Sequence, residues 1–229
     1  MSRFPWNQVQ AVFCDMDGTL IDTDRLWHEA TDAAFARFGL PLSREAFAET
    51  YGMDNVTGVR YLLDRIPSPR PTVEAVVRAI EEETEEAYRK GVRPLPGAEA
   101  LLETFRSRGY RLALVSTSSP ILIRLAVEGL RWDRFFDLRL SSEEVGPGKP
   151  DPAVYREAAR RLNVAPAEGV ALEDTVFGAQ SAAGAGLAVI GVAWDSERAQ
   201  ALRPWTVWQA PSLDAIRWDV THAGVSEPA

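Results

Sequence analysis

The stretch FCDMDGTLIDTD, residues 13–24, sets four carboxylates directly behind an apolar run. Asp15 and Asp17 lie two residues apart, followed by Gly18 and Thr19. Alternate residues of an extended strand project to the same face, so the two acids would share one side if the strand continues. Two anions held close raise each other's pKa or require a cation between them. A hard divalent cation with oxygen ligands, Mg²⁺ first among them, resolves the repulsion. Gly18 then lets the backbone leave the strand tightly. Taken alone, the Asp-Gly pair fits a plain surface turn equally well.

Three further segments carry matching chemistry. LALVSTSS leaves an apolar run at Ser116, followed by Thr117, Ser118 and Ser119, whose hydroxyls and N–H groups suit phosphoryl oxygens. GPGKPDP presents Lys149 in a Gly/Pro turn, a compact positive charge for an anion. VALEDTVFG ends another apolar run on Glu173 and Asp174, a second carboxylate pair. A serine-rich helix cap, a solvent lysine and an acidic N-cap would explain each segment singly. Their conjunction, in this order and all behind apolar runs, points to one site.

The elements that must position these residues are legible as alternating strands and helices. Apolar runs at 9–14, 110–115, 136–140, 169–173 and 187–192, with a weaker one at 205–209, predict strands. Residues 97–109 place Leu101, Leu102 and Phe105 on one helical face, and residues 151–163 do the same with Val154, Tyr155, Ala158, Ala159 and Leu162. Strands alternating with helices imply a parallel sheet covered on both faces. Its ligands sit beyond the carboxyl ends of the strands. Residues 21–91 break the alternation, being helical throughout, with amphipathic stretches at 25–39 and 72–91. The expected division is therefore a core of residues 1–20 and 92–229 and a helical insert of residues 21–91, with GVRPLPG (91–97) leading back. The last eleven residues read as a frayed tail.

Composition narrows the function. The 229 residues include 25 Lys and Arg against 33 Asp and Glu, a net charge of −8. That sign repels nucleic acid and anionic lipid, so neither is expected as a partner. No window approaches the roughly 18 apolar residues of a membrane span. One cysteine, Cys14, allows no intramolecular disulfide, and the first ten residues carry no apolar signal segment. The chain is expected in the cytoplasm, as a monomer. Two histidines, His28 and His222, leave a histidine zinc site or a Ser-His-Asp triad almost without material.

In order, DMDGT, STSS, GKPDP and EDT resemble the four motifs of the haloacid dehalogenase superfamily, over roughly residues 9–195. The resemblance implies a Rossmann-like α/β core with a helical cap and a Mg²⁺-dependent phosphatase acting on a small phosphate ester. It implies Asp15 as the nucleophile that forms an aspartyl-phosphate and Asp17 as the general acid and base. Asp15, the Asp17 backbone carbonyl and Asp174 would hold Mg²⁺, with Glu173 a ligand or the partner behind one. Ser116, Thr117 and Lys149 would bind the phosphoryl group. Within the superfamily the chain looks closest to the branch of β-phosphoglucomutase and sugar-phosphate phosphatases, so a sugar or polyol phosphate is the expected substrate. Mutases of that branch usually carry a histidine where this chain has Trp27, and a cap arginine near residues 51–58, where this chain offers Met53 and Asp54. Both departures favour phosphatase over mutase. A receiver-type phospho-sensor is disfavoured by chain length and the helical insert. A dehalogenase needs no second acid at Asp17.

Overall fold

The structure, a computed structural model, describes residues 8–219 and 224–226. Six strands form one parallel sheet: β1 (Ala11–Cys14), β2 (Arg111–Ser116), β3 (Leu138–Ser141), β4 (Gly169–Glu173), β5 (Ala188–Val192) and β6 (Trp208–Ala210). Their order is β3-β2-β1-β4-β5-β6, which places the first strand in the middle. A strand buried on both faces must be apolar throughout, and every residue of β1, Ala-Val-Phe-Cys, is buried. Helices cover both faces, giving an α/β fold of Rossmann-like type.

Between β1 and β2 the chain runs through α1 (Asp24–Arg37), α2 (Arg44–Ala48), α3 (Asn55–Leu63), α4 (Val73–Lys90) and α5 (Ala98–Ser107). The first four share their own apolar cluster, including Phe35, Phe47, Val59, Leu62, Val76 and Ile80. The Asp54 and Thr72 side chains accept from N–H groups in the first turns of α3 and α4, fixing where each helix starts.

α5 and α6 (Pro120–Gly129) pack against Val12, Cys14, Leu112 and Leu114 on one sheet face. On the other, α7 (Ala153–Leu162) and α8 (Val176–Gly184) cover Ala11, Phe13, Ala113 and Val115. α9 (Ser196–Leu202) follows β5, starting at the Asp195 cap.

The predicted strands fall where expected except the last. β6 begins at Trp208 instead of residue 205, because Arg203–Trp205 forms a short 3₁₀ turn with Pro204 in its first positions. The tail differs too. Asp219 and Gly224–Ser226, read as frayed, lie in an antiparallel ribbon of β7 (Arg217–Asp219) and β8 (Gly224–Ser226). Pairing with the strand just before it gives so short a segment its backbone partners. The other tail residues lie outside those described. Among the described residues no helix is long and apolar enough to cross a membrane.

Register fixes the site. Cys14 pairs with Leu114 on one side and Leu172 on the other, and the Asp15 N–H donates to the Leu172 carbonyl at 3.0 Å. One residue further along, Asp15 therefore stands between Val115 and Glu173, at the carboxyl ends of three adjacent strands.

Candidate active site

Lys149 ties those three strand ends together. Its Nζ donates to Asp15 Oδ1 at 2.6 Å, to Glu173 Oε1 at 2.7 Å and to the Val115 carbonyl at 3.2 Å. Burial alone would lower the lysine, but Asp15 and Glu173 outweigh it and hold the ammonium above its ordinary range. The Tyr155 hydroxyl, reaching in from α7, also donates to Glu173 Oε1. Tyr155 is raised by burial and by the adjacent carboxylates, so it remains a donor. A buried charge is tolerated only when paired and hydrogen-bonded, and this group meets that condition.

Asp174 stands beside this triad. Thr19 Oγ1 donates to its Oδ1 at 2.8 Å, and Arg198 Nη1 lies 2.6 Å from its Oδ2. Arg198 Nη2 also contacts Asp24 Oδ2 at 3.3 Å, so α9 is joined to the start of α1 through one guanidinium. Gly18 passes so close that a Cβ there would meet Asp174 Oδ2 at 2.6 Å, and its φ of +76° is a left-handed conformation. Both facts require glycine after the second acid of the first motif.

Burial raises all three carboxyls of this group. It pushes Asp15 up against the opposing pull of Lys149, Asp174 well above its ordinary range, and Glu173 to about 7. Oxygen atoms of Asp15, Glu173 and Asp174 all lie within 4.8 Å of one another. Three converging hard oxygen donors with surplus negative charge fit a divalent cation such as Mg²⁺.

The Asp17 carboxylate turns elsewhere. Its Oδ1 accepts from Thr23 Oγ1 at 2.8 Å, Trp27 Nε1 at 3.1 Å and the Tyr88 hydroxyl. Its Oδ2 accepts from Ser118 Oγ at 2.7 Å and Ser116 Oγ at 3.4 Å. All five partners are donors, and the carboxyl accepts from each of them. Trp27 and Tyr88 belong to α1 and α4, so the helical insert grips the second acid directly.

The sequence-predicted residues thus divide into two adjoining groups. Asp15, Lys149, Glu173 and Asp174 converge; Asp17 faces Ser116 and Ser118; Thr117 lines the cleft above. That cleft, about 130 Å³, lies between the strand ends and α1–α4, and Trp27, Phe47, Tyr51, Met53 and Asp54 form its insert side. His28 packs edge-on against Phe47, with ring centroids 5.1 Å apart. Tyr88, Tyr155 and Arg198 escaped the sequence reading. The two tyrosines sit in largely aliphatic stripes, and a buried hydroxyl needs a partner, which is a weak signal. Arg198 gave none.

Residues 9–186 match the haloacid dehalogenase-like hydrolase family. A phosphorylated carbohydrates phosphatase of Thermotoga maritima is 31% identical over 182 residues, spanning 78% of this chain and 82% of that protein. Hexitol phosphatase B of Escherichia coli is 34% identical over 180 residues, spanning 75% and 78%. A crystal structure of a CbbY variant from Rhodobacter sphaeroides, in complex with xylulose-(1,5)bisphosphate, is similar with a TM-score of 0.80 at 26% identity, covering 91% of this chain and 96% of that one.

Proposed function

Because the chain belongs to the haloacid dehalogenase-like hydrolase family, we propose that it hydrolyses sugar or polyol phosphates through a phosphate carried on Asp15. It is a phosphoric monoester hydrolase, in keeping with its phosphatase relatives. The observation that carries the mechanism is the convergence of Asp15, Lys149, Glu173 and Asp174 at adjacent strand ends beneath one cleft.

Asp15 is the nucleophile. A carboxylate oxygen forms a bond to phosphorus as the ester oxygen leaves with its electron pair, giving an acyl phosphate on Asp15. Lys149 orients that carboxylate and offsets charge on the transferring group, while Ser116 and Thr117, the second of which lines the cleft, would bind the phosphoryl oxygens. Asp15, Glu173 and Asp174, with the backbone carbonyl of Asp17, would hold Mg²⁺, which supplies charge neutralisation for the dianionic phosphoryl group. Asp17 supplies the proton to the departing alcohol and later takes one from the water that attacks the acyl phosphate. In the present arrangement it is an acceptor bound to Thr23, Trp27 and Tyr88, so its acid step requires release from α1 and α4 together with uptake of a proton from solvent.

Residues 21–91 serve in this reading as a cap whose position sets the state of Asp17 and excludes bulk water from the cleft. All these residues come from one chain, so a monomer suffices. Phosphatase is preferred to mutase because Trp27 donates to Asp17 where mutases of this branch usually carry a histidine. Asp15→Asn is the test: the amide is nearly isosteric but a poor nucleophile, so phosphate release with Mg²⁺ should vanish while the circular dichroism spectrum is kept. Near-wild-type release from this variant refutes the acyl-phosphate route.

A further inference from the structure

The charge distribution of the cleft points to a substrate class: phosphate esters whose alcohol portion carries no second anion. This inference rests on the phosphatase reading and narrows it. Apart from Asp15, the charged side chains lining the cleft are Asp17, Asp24, Asp54 and Asp174, against two cations, Lys149 and Arg198, among the described residues.

Neither cation is free to receive a second anion. Lys149 is buried between Asp15 and Glu173, at the reacting centre. Arg198 is shared by Asp174 at 2.6 Å and Asp24 at 3.3 Å, so two carboxylates already claim one guanidinium. The positive end of α3, facing the cleft at Asn55, is closed as well. The Asp54 carboxylate caps it, accepting from the Thr57 N–H at 3.0 Å and the Thr57 hydroxyl at 2.7 Å. A neighbouring pocket of about 390 Å³, reached past Met53, Asp54 and Thr117, adds Glu81 and Glu143 and, among the described residues, no cation besides Lys149.

With Asp15 and Asp174 assigned to Mg²⁺ and Asp17 occupied by its five donors, a carboxylate or second phosphate on the alcohol would give up its hydration to face Asp24 and Asp54. Hydroxyl and ammonium groups would find acceptors in the same place, at Asp54, Asn55, Thr31 and Thr50, with Trp27 and Tyr51 available to ring faces. Selection would act through sign of charge and not through size. Like charges several ångströms apart in a partly buried site cost enough to expect ~10-fold or more in kcat/KM.

Matched esters test this with Mg²⁺ saturating and ionic strength fixed. Sorbitol 6-phosphate and 6-phosphogluconate share a six-carbon skeleton and differ in a terminal hydroxymethyl or carboxylate; glucose 6-phosphate and glucosamine 6-phosphate differ in a hydroxyl or an ammonium. The expected result is kcat/KM about tenfold or more lower for 6-phosphogluconate than for sorbitol 6-phosphate. Glucosamine 6-phosphate should be used at least as well as glucose 6-phosphate. Asp24→Asn leaves Arg198 one carboxylate short and should raise the 6-phosphogluconate to sorbitol 6-phosphate ratio several-fold. Equal use of both esters by the wild type, or an unchanged ratio in Asp24→Asn, overturns the inference. Phosphate release from neither member of either pair refutes the phosphatase reading itself, and this selectivity with it.

Discussion

Gly178 offers a quantitative probe of how rigidly the site is built. It lies in the first turn of α8, and a Cβ added there would stand 1.9 Å from Glu173 Oε2, 2.2 Å from Cδ and 2.4 Å from Oε1. The carboxylate would have to retreat by more than ~1 Å to reach ordinary contact. Retreat is costly, because Glu173 is fully buried and its Oε1 is held by Lys149 at 2.7 Å and by Tyr155. Overpacking a core costs ~1–3 kcal/mol, and weakening hydrogen bonds to a charged group adds ~1.5–3 kcal/mol. The better helix propensity of alanine returns ~1 kcal/mol. Gly178→Ala is therefore expected to lose about 1.5–5 kcal/mol, or roughly 3–20 °C in Tm for a chain of this size. Gly184→Ala, in the same helix, places its Cβ 3.5 Å from Pro152, an ordinary contact, and should be neutral or slightly stabilising. Urea denaturation and thermal melts of the two variants give the comparison, and phosphate release should fall only in Gly178→Ala, since Lys149 moves with Glu173. If both variants unfold alike, Glu173 is not fixed by its partners and the rigidity argued for the site is wrong.

Asp17→Asn should lower kcat by ~10²–10⁴-fold with Mg²⁺ affinity kept, because a backbone carbonyl, not its side chain, is assigned to the metal; a collapse of Mg²⁺ affinity at normal saturated rate would reverse that division. Tyr88→Phe removes one of five donors to Asp17 and eases its release from α4, so kcat should rise several-fold while KM stays near wild type; an unaltered kcat would show that α4 does not govern the second acid. Glu173, pushed up to about 7 by burial, binds more protons folded than unfolded. Its contribution to stability is thus full below the unfolded range and lost as pH rises through 7. In metal-free protein, the urea midpoint of the wild type should fall relative to Glu173→Gln between pH about 5 and 8; parallel curves would contradict this.

The four motif segments were legible because each couples a buried strand to polar groups at its end, a pattern that side-chain types alone reveal. Asp15, Lys149 and the Glu173–Asp174 pair needed only the order of parallel strands to be brought together. What stayed hidden depends on packing across long separations. Tyr88 and Tyr155 look like core residues of amphipathic helices until a carboxylate is found opposite each hydroxyl. Arg198 sits on a short exposed helix and enters the site only because α9 follows the strand next to β4. The turn of Asp17 toward α1 and α4 was also hidden, since two-residue spacing gives its face but not its partners. α8 carries small residues such as Gly178, Ala179 and Ala182 where a periodic apolar stripe would announce a helix, so the pattern was faint there.

The central position of β1 also bears on how the protein comes into being. Its two neighbours, β2 and β4, lie roughly 100 and 160 residues later in the chain. At ribosomal speeds of ~5–20 residues per second, the strand bearing Asp15 waits on the order of ten seconds or more for its second partner. During that interval Asp15 lacks Glu173 and Asp174, so no product of translation that ends before β4 can hold a competent site. The same wait leaves one edge of an apolar strand open to wrong partners even after β2 has been made. Closure comes only with β4, which brings the acids and β1's missing edge in one step, so catalytic competence and the centre of the sheet mature together.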